Sequence, residues 1–305
     1  MTQHPLSGVY AAAITPLKKD FTPDIDAIPE YLSFLAKRGC HGALILGTTG
    51  EGPSFAEHER VAIFKAALEI RVEYPNFSLL AGTGTPSLTE TISLTRAAFD
   101  MGLNGVVTLP PYYYHQATSD GLYAWYREII NHAVPEDGYL LGYHIPAQSG
   151  VPLPINLLSD LKDTFPDQFA GIKDSSGDPE HSKTLSERFG RDLVVLIGSD
   201  ALLSHSLEHQ GSGCITALAN LYSPELRAVW DAYLQGEKAT AVQERLTAIR
   251  KILINYTPYP PTVKALLNHY YDLPFWAVRP PLLGMPKEKM HQAIQELAHL
   301  GNYPQ

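Results

Sequence analysis

Phe169-Ala170-Gly171-Ile172-Lys173 is an almost unbroken apolar run that ends on a lysine, and Asp174-Ser175-Ser176-Gly177-Asp178 follows it. A strand with one wet face would alternate apolar and polar residues. This one does not, so it reads as a strand buried on both faces, the kind that parallel sheets use. The same pattern recurs outward along the chain in residues 9–17, 42–46, 77–81, 105–109, 139–144, 193–197 and 214–218, which makes eight runs in all. Amphipathic stretches such as 25–37, 55–73 and 88–99 separate them. Ser54 with Glu57, and Ser87 with Glu90, read as helix-opening caps. Gly39, Gly102 and Gly211 read as helix terminators. Strict alternation of eight strand–helix units predicts an α/β fold, a (β/α)8 TIM barrel, with an open doubly wound sheet as the alternative.

Beyond the eighth run, residues 223–234, 238–254, 261–270 and 287–300 carry helical periodicity, broken by Pro258, Pro260 and Pro261 and later by Pro274, Pro280 and Pro281. One of these helices must serve as the eighth barrel helix. The expected organisation is residues 1–222 for the barrel core and 223–305 for the last barrel helix and a C-terminal helical extension.

The net charge of −9, with no Lys/Arg-rich run, argues against nucleic-acid binding, because an acidic chain gains nothing from counterion release. Cys40 and Cys214 lie far apart beside apolar runs, as buried thiols in a reducing compartment would. The first nine residues lack the basic and apolar regions of a signal peptide, and no stretch approaches the roughly 20 apolar residues of a membrane span. A cytoplasmic protein with a small-molecule substrate is expected.

Barrel active sites gather at the C-terminal ends of the strands, so the residues just after each run are the ones to inspect. Lys173 ends an apolar strand, where burial disfavours the ammonium and frees the amine as a nucleophile toward a carbonyl. A lysine paired with Asp174, or snorkelling to the rim, is the alternative. Tyr143 ends the neighbouring strand and could relay protons at Lys173. Gly47-Thr48-Thr49-Gly50-Glu51-Gly52 offers backbone N–H groups and hydroxyls in one turn, a nest suited to a carboxylate or phosphate. It has neither the lysine of a P-loop nor the dinucleotide fingerprint. His205 and His209 are the only histidines at helical ligand spacing. They lack the metalloprotease pattern, so no metal is expected.

The Gly-Thr-Thr-Gly-Glu turn from Gly47, the Tyr143-x-Ile145-Pro146 strand end, Gly171-Ile172-Lys173-Asp174 and Gly213-Cys214-Ile215-Thr216-Ala217 together resemble the dihydrodipicolinate synthase/N-acetylneuraminate lyase family. The resemblance runs from about Gly8 to Pro286. It implies a (β/α)8 barrel with a C-terminal helical extension and class I, Schiff-base, pyruvate-dependent aldolase chemistry. Neither a metal nor an organic cofactor is implied. Lys173 would form the Schiff base, and Tyr143 would relay protons. Thr49 would hydrogen-bond Tyr143, Thr48 would help grip the substrate carboxylate, and the Ile215 carbonyl would face the lysine. A further tyrosine, which in many members reaches across a subunit interface, falls on Tyr113 when counted from the preceding strand and on Tyr114 when counted back from Gly121. A homo-oligomer, a dimer of dimers, is implied too.

Departures from the family pattern narrow the substrate. Dihydrodipicolinate synthases usually carry an arginine where this chain has Gln148, and a neutral amide cannot make the bidentate ion pair of a guanidinium. Neuraminate lyases usually carry a serine at the Thr48 position and an Asp-Glu pair where this chain has Asp200-Ala201. An aldolase for 2-keto-3-deoxy sugar acids or hydroxy-oxo acids is the reading that remains, with Gln148, Ser199 and Asp200 as contacts to a hydroxylated tail. The alternatives are the synthase itself, a keto-deoxy acid dehydratase, or a catalytically silent barrel that binds a ligand.

Overall fold

Each apolar run becomes a short strand in the computed structural model, which describes residues 3–190 and 192–301. The strands are β1 (Gly8–Ala12), β2 (Gly42–Ile45), β3 (Ser78–Gly82), β4 (Gly105–Thr108), β5 (Leu140–His144), β6 (Phe169–Asp174), β7 (Val194–Ile197) and β8 (Gly213–Thr216). Each pairs in parallel with the next, and β8 pairs back onto β1, with Val9 opposite Cys214 and Tyr10 opposite Ile215. That last ladder closes the barrel and rules out the open sheet.

The continuous apolarity of the strands follows from closure, because alternate residues face two different cores. Tyr10, Leu44, Leu80, Val107, Leu141 and Ile215 form an inner cluster, with Leu6 packed among them. Val9, Ala43, Leu79, Val106, Leu140 and Ile172 belong to the larger outer cluster beneath the helices. The inner layer holds packed side chains and leaves no pore, so ligand space can open only at an end of the barrel.

The helices are α1 (Ala27–Lys37), α2 (Glu57–Ala67), α3 (Leu88–Asp100), α4 (Ser119–Ala133), α5 (Pro146–Ser149), α6 (Ile155–Thr164), α7 (Pro179–Phe189), α8 (Leu203–Glu208), α9 (Ala219–Leu234), α10 (Thr240–Leu253), α11 (Tyr259–Tyr271) and α12 (Lys287–Ala298). Ser87 caps α3 as its position suggests, its side chain accepting the Glu90 N–H. Ser54 does not cap α2. It closes a 3-10 turn over Gly52–Ser54, Phe55 is extended, and α2 opens at Ala56, whose N–H donates to the Glu59 carboxylate at 2.9 Å. Gly39 and Gly102 take left-handed backbone (φ 93° and 87°). At the third expected terminator the left-handed residue is Gln210 (φ 76°), and Gly211 serves space instead, since a Cβ there would lie 2.1 Å from Ser206 Oγ.

α9 begins at Ala219, earlier than the periodicity indicates, and loses helical geometry at Tyr222, just before Pro224. Proline removes a donor and crowds the preceding turn, which accounts for the break. α9 packs on β1 and β8 as the eighth barrel helix, and α10 and α11 pack on α9, with α12 against them. Among the described residues no helix is long and apolar enough to cross a membrane.

Candidate active site

Strand alternation separates Lys173 from its neighbour. Lys173 is directly opposite Tyr143 in the β5–β6 ladder, and His144 is opposite Asp174. The first pair faces the barrel interior and the second faces the helices. Asp174 is occupied with its own loop, accepting from the Ser176 N–H at 3.0 Å and the Ser176 hydroxyl at 3.1 Å. The pairing of Lys173 with Asp174, which the sequence left open, does not form. Lys173 is only 3% exposed, and its Nζ lies 4.2 Å from the centroid of the Tyr143 ring.

The Tyr143 hydroxyl is 3.1 Å from Thr48 Oγ1. The resemblance assigns that contact to Thr49; in the structure Thr48 makes it, and both threonines line the chamber. Backbone geometry sets this pattern. Leu46 and Glu51, flanking the turn, both adopt left-handed φ (55° and 57°), which side-chain-bearing residues rarely take. Gly52 tolerates no Cβ, which would fall 1.9 Å from the Leu46 carbonyl oxygen. Strain of this kind persists only where surrounding contacts over-determine it.

Those contacts are present. The Thr15 hydroxyl donates to the Gly50 carbonyl at 2.6 Å, and the Arg60 Nε donates to the Gly52 carbonyl at 3.1 Å. Glu51, fully buried, accepts from Lys264 Nζ at 2.6 Å and from the Arg279 N–H at 2.7 Å. Lys264 also donates to the Ala277 carbonyl at 2.7 Å. Burial pulls the Lys264 amine below its ordinary range, opposed by the Glu51 charge. The C-terminal extension thus reaches back to hold the turn that meets Tyr143.

Above Lys173 opens a chamber of about 680 Å³. Thr48, Thr49, Tyr143 and Ile215 line it together with the lysine, as do Gln148 and Ser199. Asp200 does not. Its side chain is fully buried away from the chamber, where Arg250 Nη1 donates to Oδ1 at 3.2 Å. Burial pushes its carboxyl up to about 6, with Arg250 pulling the other way. It anchors Arg250 and cannot contact a substrate tail. Tyr113 and Tyr114 also stand outside the chamber, 75% and 72% exposed in the loop after β4, their rings edge to face at 5.3 Å.

Several residues of the site escape sequence reasoning. Ser175, Ser176, Arg250 and Tyr259 line the chamber, the last two from the extension. No local signal marks Arg250, which sits in an ordinary amphipathic helix. His144, Asp174 and His181 form a further cluster, with potential ligand atoms within 4.8 Å of one another. His144 Nδ1 already accepts the Leu153 N–H at 3.0 Å. In the neutral ring its Nε2 therefore carries the proton and is a donor, which does not suit a metal ligand. Burial lowers the His144 pKa further, opposed by Asp174 and aided by His181. The His205 and His209 rings lie with centroids 4.7 Å apart at a 45° tilt, and each ring also bonds a main-chain carbonyl, Pro179 for His205 and His205 for His209.

The arrangement offers a buried amine, a phenol against it and a hydroxyl completing a chain of proton carriers, with room above for a small polar molecule. Residues 5–300 match the model of the dihydrodipicolinate synthetase family. An uncharacterized DapA-like lyase of Chloroflexus aurantiacus is 41% identical over 284 residues, 93% of each chain. A 4-hydroxy-tetrahydrodipicolinate synthase of Methanosarcina acetivorans is 30% identical over 300 residues, 96% of this chain and 98% of that one. The crystal structure of dihydrodipicolinate synthase from Agrobacterium tumefaciens superposes with a TM-score of 0.87 at 30% identity, covering 97% of this chain and 99% of that one. The chain belongs to the dihydrodipicolinate synthetase family and is an enzyme of the lyase type.

Proposed function

We propose that the protein is a Schiff-base aldolase that cleaves or forms a 2-keto-3-deoxy sugar acid or hydroxy-oxo acid, with pyruvate as one product. The observation that carries this reading is Lys173 Nζ buried against the Tyr143 ring, with the Tyr143 hydroxyl bonded to Thr48. In the cleavage direction the Lys173 amine adds to the keto carbon, and the carbinolamine loses water to give a protonated imine. The C3–C4 bond then breaks, its electrons entering the imine to form an enamine, while the C4 hydroxyl gives up its proton as the aldehyde leaves. Protonation at C3 and hydrolysis return pyruvate and free Lys173. Tyr143 moves the protons, and Thr48 holds its hydroxyl in line. The iminium is the electron sink, so the reading asks for no metal or organic cofactor. Thr49 and the turn's backbone N–H groups are suited to the pyruvate carboxylate, and the Ile215 carbonyl to the face opposite the lysine. We place Tyr113 or Tyr114 in a neighbouring copy's site within a homo-oligomer.

A synthase acting on pyruvate and aspartate semialdehyde is the second reading, favoured by the name of the Methanosarcina relative; with Gln148 in place of the usual arginine, a different group would have to bind the aldehyde's carboxylate. Reduction with borohydride in the presence of pyruvate, followed by peptide mapping, tests the chemistry. A single pyruvyl adduct on Lys173 is expected, with none in Lys173→Ala. Tyr143→Phe should slow turnover by roughly 10²- to 10⁴-fold while leaving the lysine available. No adduct with any 2-keto acid overturns the proposal, and robust condensation of pyruvate with aspartate semialdehyde would favour the synthase.

A further inference from the structure

The chamber reverses the sign of the chain. Overall charge is −9, yet among the described residues two basic side chains line the chamber, the nucleophile Lys173 and the guanidinium of Arg250. Among the described residues no carboxylate lines it. Local charge of this kind selects a ligand regardless of net charge.

Arg250 is fixed in place. Its Nη1 donates to the buried Asp200, its guanidinium lies 4.9 Å from the Tyr259 ring centroid, and the Asp200 carbonyl accepts from Gln243 Nε2 at 3.0 Å. Among the described residues its Nε and Nη2 donate to nothing, and the side chain keeps 21% exposure. A guanidinium held by packing with unused donors binds an oxyanion at little ordering cost. A clip between α10 and the turn at Asp200 would need neither the open donors nor a place on the chamber wall.

We infer that Arg250 is the specificity-determining residue for the far end of the substrate, and that the aldehyde partner of pyruvate carries an anionic terminus. The inference rests on the Schiff-base reading of Lys173. Lys173 then holds the keto-acid end covalently, and Arg250 holds the anionic end. Ser176, Ser199 and Gln148 lie along the wall for hydroxyl groups between them. The anion can be a carboxylate or a phosphate ester, since the fork geometry suits both.

The test pairs pyruvate with three aldehydes: succinic semialdehyde (carboxylate), glyceraldehyde 3-phosphate (phosphate) and glyceraldehyde (neutral). The wild-type enzyme should show the higher kcat/KM with one of the two anionic aldehydes, and which one identifies the group. In Arg250→Gln the anionic-to-neutral ratio should fall by roughly tenfold to a hundredfold, mostly through KM, as expected for loss of a hydrogen-bonded charge pair. Arg250→Lys, which keeps the charge but not the fork, should recover part of the ratio. Borohydride trapping of pyruvate on Lys173 is run on each variant, because it reports the Schiff base independently of the aldehyde. With trapping intact, a wild-type preference for the neutral aldehyde, or a ratio unchanged in both variants, overturns the role of Arg250. Absence of trapping in the wild type overturns the Schiff-base reading and this inference with it.

Discussion

The turn after β2 and the loop after β4 both carry the hydroxyl groups that the sequence points to, but the chain builds them on opposite terms. The turn from Gly47 to Gly52 is buried apart from Thr48, passes through left-handed backbone at Glu51, and is gripped by Thr15, Arg60, Lys264 and the Arg279 main chain. The loop leaves Tyr113 and Tyr114 exposed, and among the described residues their rings contact only each other. One set of hydroxyls is pre-organised by its own chain. The other is not. The difference separates the part of the site complete in a single copy from the part that we assign to a neighbour.

The strongest way to break this contrast is to cut the turn's deepest tie. Lys264→Met leaves the Glu51 carboxylate buried with only the Arg279 N–H, and removing one partner of a buried pair costs about 3–5 kcal/mol. Denaturant unfolding should show that loss, and adding Glu51→Gln in the same chain should recover part of it. A loss below about 1 kcal/mol would mean the turn is held by its own geometry and owes little to the extension. Within the turn, Thr48→Val should lower kcat at least roughly tenfold more than Thr49→Val, because only Thr48 meets the Tyr143 hydroxyl. The reverse order would restore the assignment that the resemblance implied.

The same contrast explains what could be read from the sequence. The eight strands were legible because burial on both faces leaves a continuous apolar signature, and Lys173 and Tyr143 were legible because each ends such a strand. The pairing of Thr48 rather than Thr49 was not, since two neighbouring threonines line the same chamber and no sequence pattern says which of them reaches the Tyr143 hydroxyl. Glu51 with Lys264 and Asp200 with Arg250 were invisible for another reason. Their partners lie on the C-terminal extension, and nothing in a helix's own pattern announces a contact so distant along the chain. Asp200 looked like a rim residue because it follows β7. Its arginine draws it inward and makes it an anchor. Gly211 looked like a helix terminator, but Gln210 takes that backbone and the glycine answers a packing need.

The exposed tyrosines give the smallest effect on stability and the cleanest test of where the site ends. Tyr113→Phe and Tyr114→Phe should each change unfolding free energy by no more than about 0.5 kcal/mol, as surface substitutions do. If a neighbour supplies the relay, one of the two should still lower kcat, by roughly tenfold or more for a lost proton carrier. Mixing then decides between chains. A Lys173→Ala copy has no nucleophile but keeps both tyrosines, and the impaired tyrosine variant keeps its lysine. Co-assembled after dissociation, the two should regain activity that neither has alone, because the intact tyrosine of one copy can serve the lysine of the other. If the tyrosine acted within its own chain, the mixture would show only the residual rate of the tyrosine variant. Recovery would make the β4 loop a part of the next copy's site. Its absence would keep that tyrosine's role within its own chain.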